Sequence, residues 1–299
     1  MKGADEIDDS SAPLIEHLAE MRNRIIWSLL AFVAAMLACF VVAEPILDFL
    51  LRPIEQAMRD FGDPNPVMQY TAPQEYFFTL VRISVVAGLG VAFPIIAYQM
   101  WRFVAPGLYR SEKRAFLPFL IASPVLFFLG AAFSHYIVTP IAMSFFLGFA
   151  DASSLISAVM PEIAEEVAGQ VAEPSRGIDI VFQGKVNETL DISLKLIIAF
   201  GLCFQLPVLL TLMGKAGLVS AAGLARQRRY AIVAILLVAA LVTPPDVMSQ
   251  LILFGAVYPL YEVSILLIRR IERKREAELR AQGLWFEEDK AADGEAPKA

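Results

Sequence analysis

The residues best suited to chemistry lie in Gln99–Arg114, where one carboxylate, Glu112, stands among four cations, Arg102, Arg110, Lys113 and Arg114. A second carboxylate, Glu20, sits beside Arg22 and Arg24 just before a long apolar run. A carboxylate accepts two parallel hydrogen bonds from a planar guanidinium, so two carboxylates in one place suit a ligand that presents two arginines. The same groups can also pair at home, Glu20 with Arg24 four residues on and Glu112 with Arg114 or a neighbouring arginine. Catalysis has no comparable support. His17 and His135 are the only histidines, with no H-E-x-x-H or G-x-S-x-G near either, and Gly184-Lys185 lacks the glycine and the Ser or Thr of a phosphate loop. Cys39 and Cys203 fall inside apolar runs and build no metal or redox motif, so no cofactor is expected. A binding protein, not an enzyme, is the expectation.

The elements that must position these groups are membrane helices. The chain has 299 residues, 57% hydrophobic and 19% charged, with a mean hydropathy of +0.59, against about 45–50% and about 25% in soluble domains. Its net charge of -6 argues against nucleic acid. The acidic start (Asp5, Glu6, Asp8, Asp9) is unlike a cleavable signal peptide. Residues 1–12 are expected to be disordered. From Pro13, the positions Leu14, Leu18, Met21 and Ile25 form an apolar stripe at helical spacing, an interfacial helix leading into the bilayer. Six apolar segments follow: Ile25–Ala43, Phe77–Tyr98, Ala115–Val138, Leu194–Met213, Tyr230–Val242 and Leu251–Ile268. About 20 helical residues cross about 30 Å of hydrocarbon, so four segments qualify and the last two are short.

The fold class expected is therefore an all-α membrane protein with six transmembrane helices, short fifth and sixth spans and both termini inside. Lysine and arginine set that orientation: 19 lie on one side, 4 on the other (Arg52, Arg59, Arg176, Lys185), and Arg82 and Lys195 lie near span ends, free to snorkel. The membrane domain covers 13–268, and 269–299 is a charged cytoplasmic tail, helical through Arg269–Arg280. Of the two external segments, proline-rich Glu44–Glu75 is expected to hold a short helix and an irregular cap. Asp151–Asp191 is expected to hold an amphipathic helix (Leu155, Val159, Ile163, Val167) and an extended piece at Ile178–Phe182.

Polar groups inside the bilayer are expensive and mark function by default. Gln205 lies near the middle of the fourth span, and Pro207 deprives the carbonyl of Cys203 of its helical donor. Their partners come either from neighbouring helices of this chain or from another protein's membrane helix. Glu262 lies near the inner end of the last span, with Arg269 or interior water as its expected partner, and Asp246 after Pro244-Pro245 is placed to cap the last helix.

The order of these residues resembles the TatC family, the receptor subunit of the twin-arginine protein translocase. His17-Leu18-Ala19-Glu20-Met21-Arg22-Asn23-Arg24 is similar to its N-terminal H-L-x-E-L-R-x-R. Phe103, Pro106, Leu108, Tyr109, Glu112, Lys113 and Arg114 match its first-loop motif F-x-x-P-x-L-Y-x-x-E-[KR]-R. Phe200-Gly201 through Phe204-Gln205-Leu206-Pro207, then Thr243-Pro244-Pro245-Asp246-Val247-Met248-Ser249-Gln250, then Tyr261-Glu262, look like its fourth-span, hairpin and last-span signatures. Gln205 stands where the family often has Glu, which keeps a hydrogen-bonding role and removes a titrating one. The resemblance implies a non-enzymatic subunit of the bacterial plasma membrane that binds twin-arginine signal peptides of folded precursors. Glu112, Glu20, Arg22, Phe103 and Arg114 map to signal binding, and Gln205, Asp246, Gln250 and Glu262 to intramembrane contacts. TatA-like and TatB-like single-span proteins and further copies of the chain are the implied partners, and the proton motive force the implied drive. A secondary transporter for a small solute is the alternative from the span count alone, against which stand the lack of repeated halves and the few intramembrane charges.

Overall fold

The computed structural model describes residues 11–104, 117–150, 183–243 and 247–281. The first helix, α1, runs Ser11–Val41 without a break, and Val42 leaves helical geometry before α2 (Ala43–Asp60). Gly62, at φ +93°, reverses the chain, a conformation that suits glycine. A two-residue strand, β1 (Met68–Gln69), then precedes α3 (Pro73–Val104). Helix α4 (Leu117–Phe133) passes through a π-helical turn, Ser134–Val138, into α5 (Thr139–Ala150). After β2 (Gly184–Lys185), which pairs in parallel with β1, come α6 (Val186–Cys203), α7 (Leu206–Lys215), α8 (Ala221–Arg226), α9 (Arg228–Val242) and α10 (Val247–Ala281).

Small residues set the packing, as expected where lipid removes the hydrophobic drive between helices and close van der Waals contact has to hold them together. A Cβ on Gly88 would come within 2.6 Å of the Met36 Cα, so α1 and α3 meet backbone to backbone. Arg24 against Gln99 and Phe40 against Phe77 show that this pair is antiparallel. Gly130 lies under the Phe200 carbonyl and Gly201 under the Phe127 ring, joining α4 to α6. The rings of Phe93 and Phe127 stack at 4.0 Å, within a cluster of Ala97, Trp101, Val208 and Leu212 that ties α3 and α4 to α7. Gly214 receives Ile268 of α10.

These pairings gather the start of α1, the ends of α3 and α7, all of α8 and the second half of α10 at one end of the bundle. The other end is capped by α2 and the β1–β2 pair. Arginine crowds the first end, here called the basic end, with Arg22, Arg24, Arg102, Arg226, Arg228, Arg229, Arg269 and Arg270. The outer surface is apolar, with Trp27, Leu30, Val41, Val233 and Leu241 all exposed. Among the described residues, five helices are long and apolar enough to cross a membrane: Leu18–Val41, Pro73–Arg102, Pro118–Gly148, Val186–Lys215 and Val247–Glu278.

Several boundaries differ from expectation. Ser11 and Ala12 are already helical, while residues 1–10 lie outside the described region. The third apolar segment reads as ending at Val138, yet its helix continues to Ala150, because the π-turn absorbs the change of face without stopping the helix. The fourth is two helices, interrupted at Phe204-Gln205, where Pro207 removes a rung. The last helix is not short: α10 has 35 residues, starting at Val247 and carrying the charged Arg269–Arg280 stretch without a break. Only α9, with 15 residues, stays short of a bilayer at about 22 Å. The strand pair is absent from the sequence-based expectations, since two residues have no readable periodicity, and Ile178–Phe182 and the amphipathic stretch before it lie outside the described residues.

Glycine packing gives a direct test. Gly130→Ala would put a methyl within 2.5 Å of the Phe200 oxygen, whereas a Cβ at Gly255 meets nothing within 4 Å. Thermal unfolding in detergent should show Gly130→Ala destabilised by about 1–3 kcal/mol and Gly255→Ala unchanged or slightly stabilised. Equal behaviour of the two variants would refute the close α4–α6 approach.

Candidate functional site

At the basic end, α1 brings Glu20 and Arg24 one turn apart on the face that meets α3. The guanidinium of Arg24 donates from Nε (3.1 Å) and Nη2 to Glu20 Oε1, and from Nη1 to Gln99 Oε1 at 3.4 Å. Arg24 is the more sheltered partner, its side chain 14% exposed against 37% for Glu20. One cation thus fixes the carboxylate and ties α1 to α3 near the end of α3. Arg22 is exposed. Glu112, Arg114 and the side chain of Phe103 lie outside the described residues, although the backbone of Phe103 belongs to the last turn of α3. Trp101 is buried against Val208 and Leu212, and its indole N–H has no hydrogen-bond partner among the described residues.

Across the same end, Glu262 on α10 takes Arg228 of α9 rather than Arg269. Arg228 Nη2 donates to Oε2 at 2.8 Å, Nε lies 2.8 Å from Oε1, and the Tyr258 hydroxyl donates to Oε1 at 3.0 Å. Sequence spacing points to Arg269, two turns along the same helix, because separation along a helix is visible in sequence and a neighbour across a hairpin is not. Tyr261 donates to the Leu224 carbonyl at 2.8 Å, and Glu272 accepts from the Ala221 N–H at 2.8 Å. Side chains from α10 therefore hold α8 and the start of α9.

In the bundle, Gln205 is answered within the chain. Its Oε1 accepts from the Ser123 hydroxyl at 2.8 Å, and its Nε2 donates to the Ser123 carbonyl at 2.8 Å. Pro124 and Pro207 each remove a backbone donor at this level, so the reciprocal bond joins two helices where both are missing a rung. Gln250 Nε2 donates to the Leu236 carbonyl at 3.3 Å, closing the α9–α10 hairpin below its turn, while Asp246 in that turn lies outside the described residues.

Two groupings are not visible in the sequence. Arg82 and Lys195, expected to snorkel singly, both reach Asp191 of α6: Arg82 Nη1 at 2.9 Å from Oδ1 and Lys195 Nζ at 2.5 Å from Oδ2. Two cations in separate apolar runs are the available signal, and their convergence requires the fold. Ser134, His135 and Thr139 are buried around the π-turn, with His135 stacked on Phe49 at 4.4 Å, and Ser134 Oγ, His135 Nδ1 and Thr139 Oγ1 have no hydrogen-bond partner among the described residues. Among the described residues no group of three or more His, Cys, Asp or Glu could hold a metal.

An apolar exterior, helices of spanning length and paired polar groups within define a multi-pass helical membrane protein. The model of the TatC family, described as Sec-independent protein translocase protein, matches residues 16–255. The chain is 42% identical over 278 residues to the Sec-independent protein translocase protein TatC of Magnetococcus marinus, covering 93% of this chain and 92% of the relative. It is 35% identical over 263 residues to that of Aquifex aeolicus, covering 88% and 97%. A crystal structure of the twin arginine translocase receptor TatC superposes with a TM-score of 0.63 at 33% identity, covering 85% of this chain and 98% of that one, and a second, in a detergent, with a TM-score of 0.65 at 34% identity, covering 84% and 98%. The chain belongs to the TatC family of Sec-independent protein translocase proteins.

The Glu262–Arg228 pair makes a prediction. Arg228→Gln should speed hydrogen exchange across Leu224–Tyr230, and the exchanged pair Arg228→Glu with Glu262→Arg should restore protection. Gln205→Leu should cost only about 1 kcal/mol in unfolding, two interhelical hydrogen bonds at about 0.6 kcal/mol each in membranes. Unchanged exchange in Arg228→Gln would mean that packing alone holds the hairpin.

Proposed function

We propose that this protein is the signal-recognition subunit of a twin-arginine translocase in a bacterial plasma membrane, and that its basic end faces the cytoplasm. The observation that carries this is Glu20, fixed by Arg24 and Gln99 near the end of α3, the helix that leads into the sequence bearing Glu112. Carboxylates supplied from α1 and from that segment would match a ligand with two adjacent guanidinium groups. In this reading α9 is a sixth, short span, 13–268 is a single membrane domain, and the charged 269–299 stretch lies with the N-terminus on the cytoplasmic side. The excess of lysine and arginine at the basic end supports that orientation. The solved structure at 33% identity is that of a twin arginine translocase receptor, which supports the ligand. Folded precursors are then handed to TatA-like and TatB-like single-span proteins docking near Gln205, Gln250 and the α9–α10 hairpin, where the short α9 favours short partner helices by thinning the bilayer. Transport draws on the proton motive force, and further copies of the chain join the complex.

Binding of a twin-arginine signal peptide to the purified protein tests the assignment. Glu112→Ala should weaken it strongly and Glu20→Ala less, because Glu20 is already engaged by Arg24. A charge-assisted bond is worth about 1.5–3 kcal/mol where water is partly excluded and about 0.2–1 kcal/mol where it is not, so the loss also reports how sheltered the carboxylate is. Wild-type binding by Glu112→Ala would overturn the site. For orientation, single cysteines replacing Glu165 and Ala222 should react with an impermeant thiol reagent from outside and only after permeabilisation, respectively. The reverse pattern would overturn the topology.

A further inference from the structure

The grouping at Asp191 lies at the end opposite the proposed signal site, where α3 and α6 meet. Arg82 on α3 is twenty residues from Arg102, and Lys195 on the α6–α7 run is twenty residues from Lys215. Twenty helical residues span about 30 Å, the thickness of the hydrocarbon. Each of these transmembrane elements therefore carries a cation at both hydrocarbon boundaries, and Arg82 and Lys195 stand at the level of lipid phosphates on the capped end.

Their charge is not balanced there. Arg59 and Lys185, the other paired cations of that end, are answered one for one by Glu55 at 2.9 Å and Glu188 at 3.4 Å. At Asp191 two cations share one carboxylate, and the third polar neighbour, Asn187, is neutral, accepting from Arg82 Nη1 at 3.0 Å. The shared carboxylate holds both cations close together without neutralising them. Asp191 and Asn187 use only Nη1 of Arg82, and Nε and Nη2 remain outside these bonds. The ammonium of Lys195 has two further hydrogens beyond the one given to Asp191. Its side chain is 65% exposed and that of Arg82 is 43% exposed, so neither cation is enclosed by its partners.

We propose that Arg82, Asp191 and Lys195 form a binding site for the phosphodiester of an anionic phospholipid in the leaflet at the capped end. The phosphate oxygens accept from Lys195 Nζ and from the unused edge of the Arg82 guanidinium, and Asp191 holds the two donors at a fixed separation. The net positive charge selects an anionic headgroup over a zwitterionic one, whose own cation would be repelled.

The test uses the full-length protein in detergent micelles doped with phosphatidylglycerol or with phosphatidylcholine of the same chains, read by native mass spectrometry as retained lipid. Wild type and Lys195→Arg should retain phosphatidylglycerol in preference to phosphatidylcholine. Lys195→Gln and Arg82→Gln should each lower that preference about fivefold, the effect of one cation near an anionic surface. Preference unchanged in both glutamine variants, or absent from wild type, overturns the site. Inorganic phosphate at the lipid's concentration should leave the preference intact; its loss there would mean a free phosphate site and overturn the lipid assignment.

Discussion

Within the hydrocarbon a polar atom finds no water, so its partner must be another part of the protein, and the described bundle is arranged around that requirement. Serine and threonine hydroxyls bond back to their own helices, as Ser84 does to Leu80, Ser264 to Leu260 and Thr211 to Pro207. Gln205 and Ser123 answer one another across two helices that prolines have deprived of backbone donors at that level. With these groups answered in this way, apolar surface can face lipid on almost every side and the charged groups are driven to the two ends, while Trp101 Nε1 and the side-chain polar atoms of Ser134, His135 and Thr139 have no hydrogen-bond partner among the described residues.

The two ends differ in how they use charge. At the basic end, individual carboxylates are each clamped by one guanidinium, Glu20 by Arg24 and Glu262 by Arg228, and both clamps join neighbouring elements as well. This ties the ends of neighbouring helices together, and the remaining arginines give that end its positive charge. At the capped end, α2 and the short strand pair roof the bundle, and cations are few and mostly paired. The proposed sites for a ligand with two guanidinium groups and for a lipid phosphate therefore lie at opposite ends of the same bundle.

Helix positions were legible because apolar runs of membrane length admit no other structure in lipid. Their ends were not, because a run of apolar residues measures contact with hydrocarbon and not the helix, which continues into polar sequence at Ser11 and past Ile268. The π-turn at Ser134–Val138 left no trace in the hydropathy, and the β1–β2 pair was too short to show alternation. Of the site, Glu20 with Arg24 was readable as an i, i+4 pair, whereas Gln99 as their third member, Arg228 as the partner of Glu262 and the meeting of Arg82 with Lys195 depend on contacts between distant segments. Family resemblance supplied what spacing could not, namely the particular ligand that such carboxylates would take.

The most direct measurement is to map where the arginine pair of a signal peptide rests, using a photo-crosslinking residue placed beside that pair and the full-length protein in membranes. The predicted result is labelling of α1 around Glu20 and of the Gln99–Arg114 segment, lost when the two arginines are replaced by lysines, whose point charges do not match a carboxylate's two oxygens. Labelling concentrated at the capped end around Tyr70 and Tyr76, or equal labelling by the lysine peptide, would contradict it.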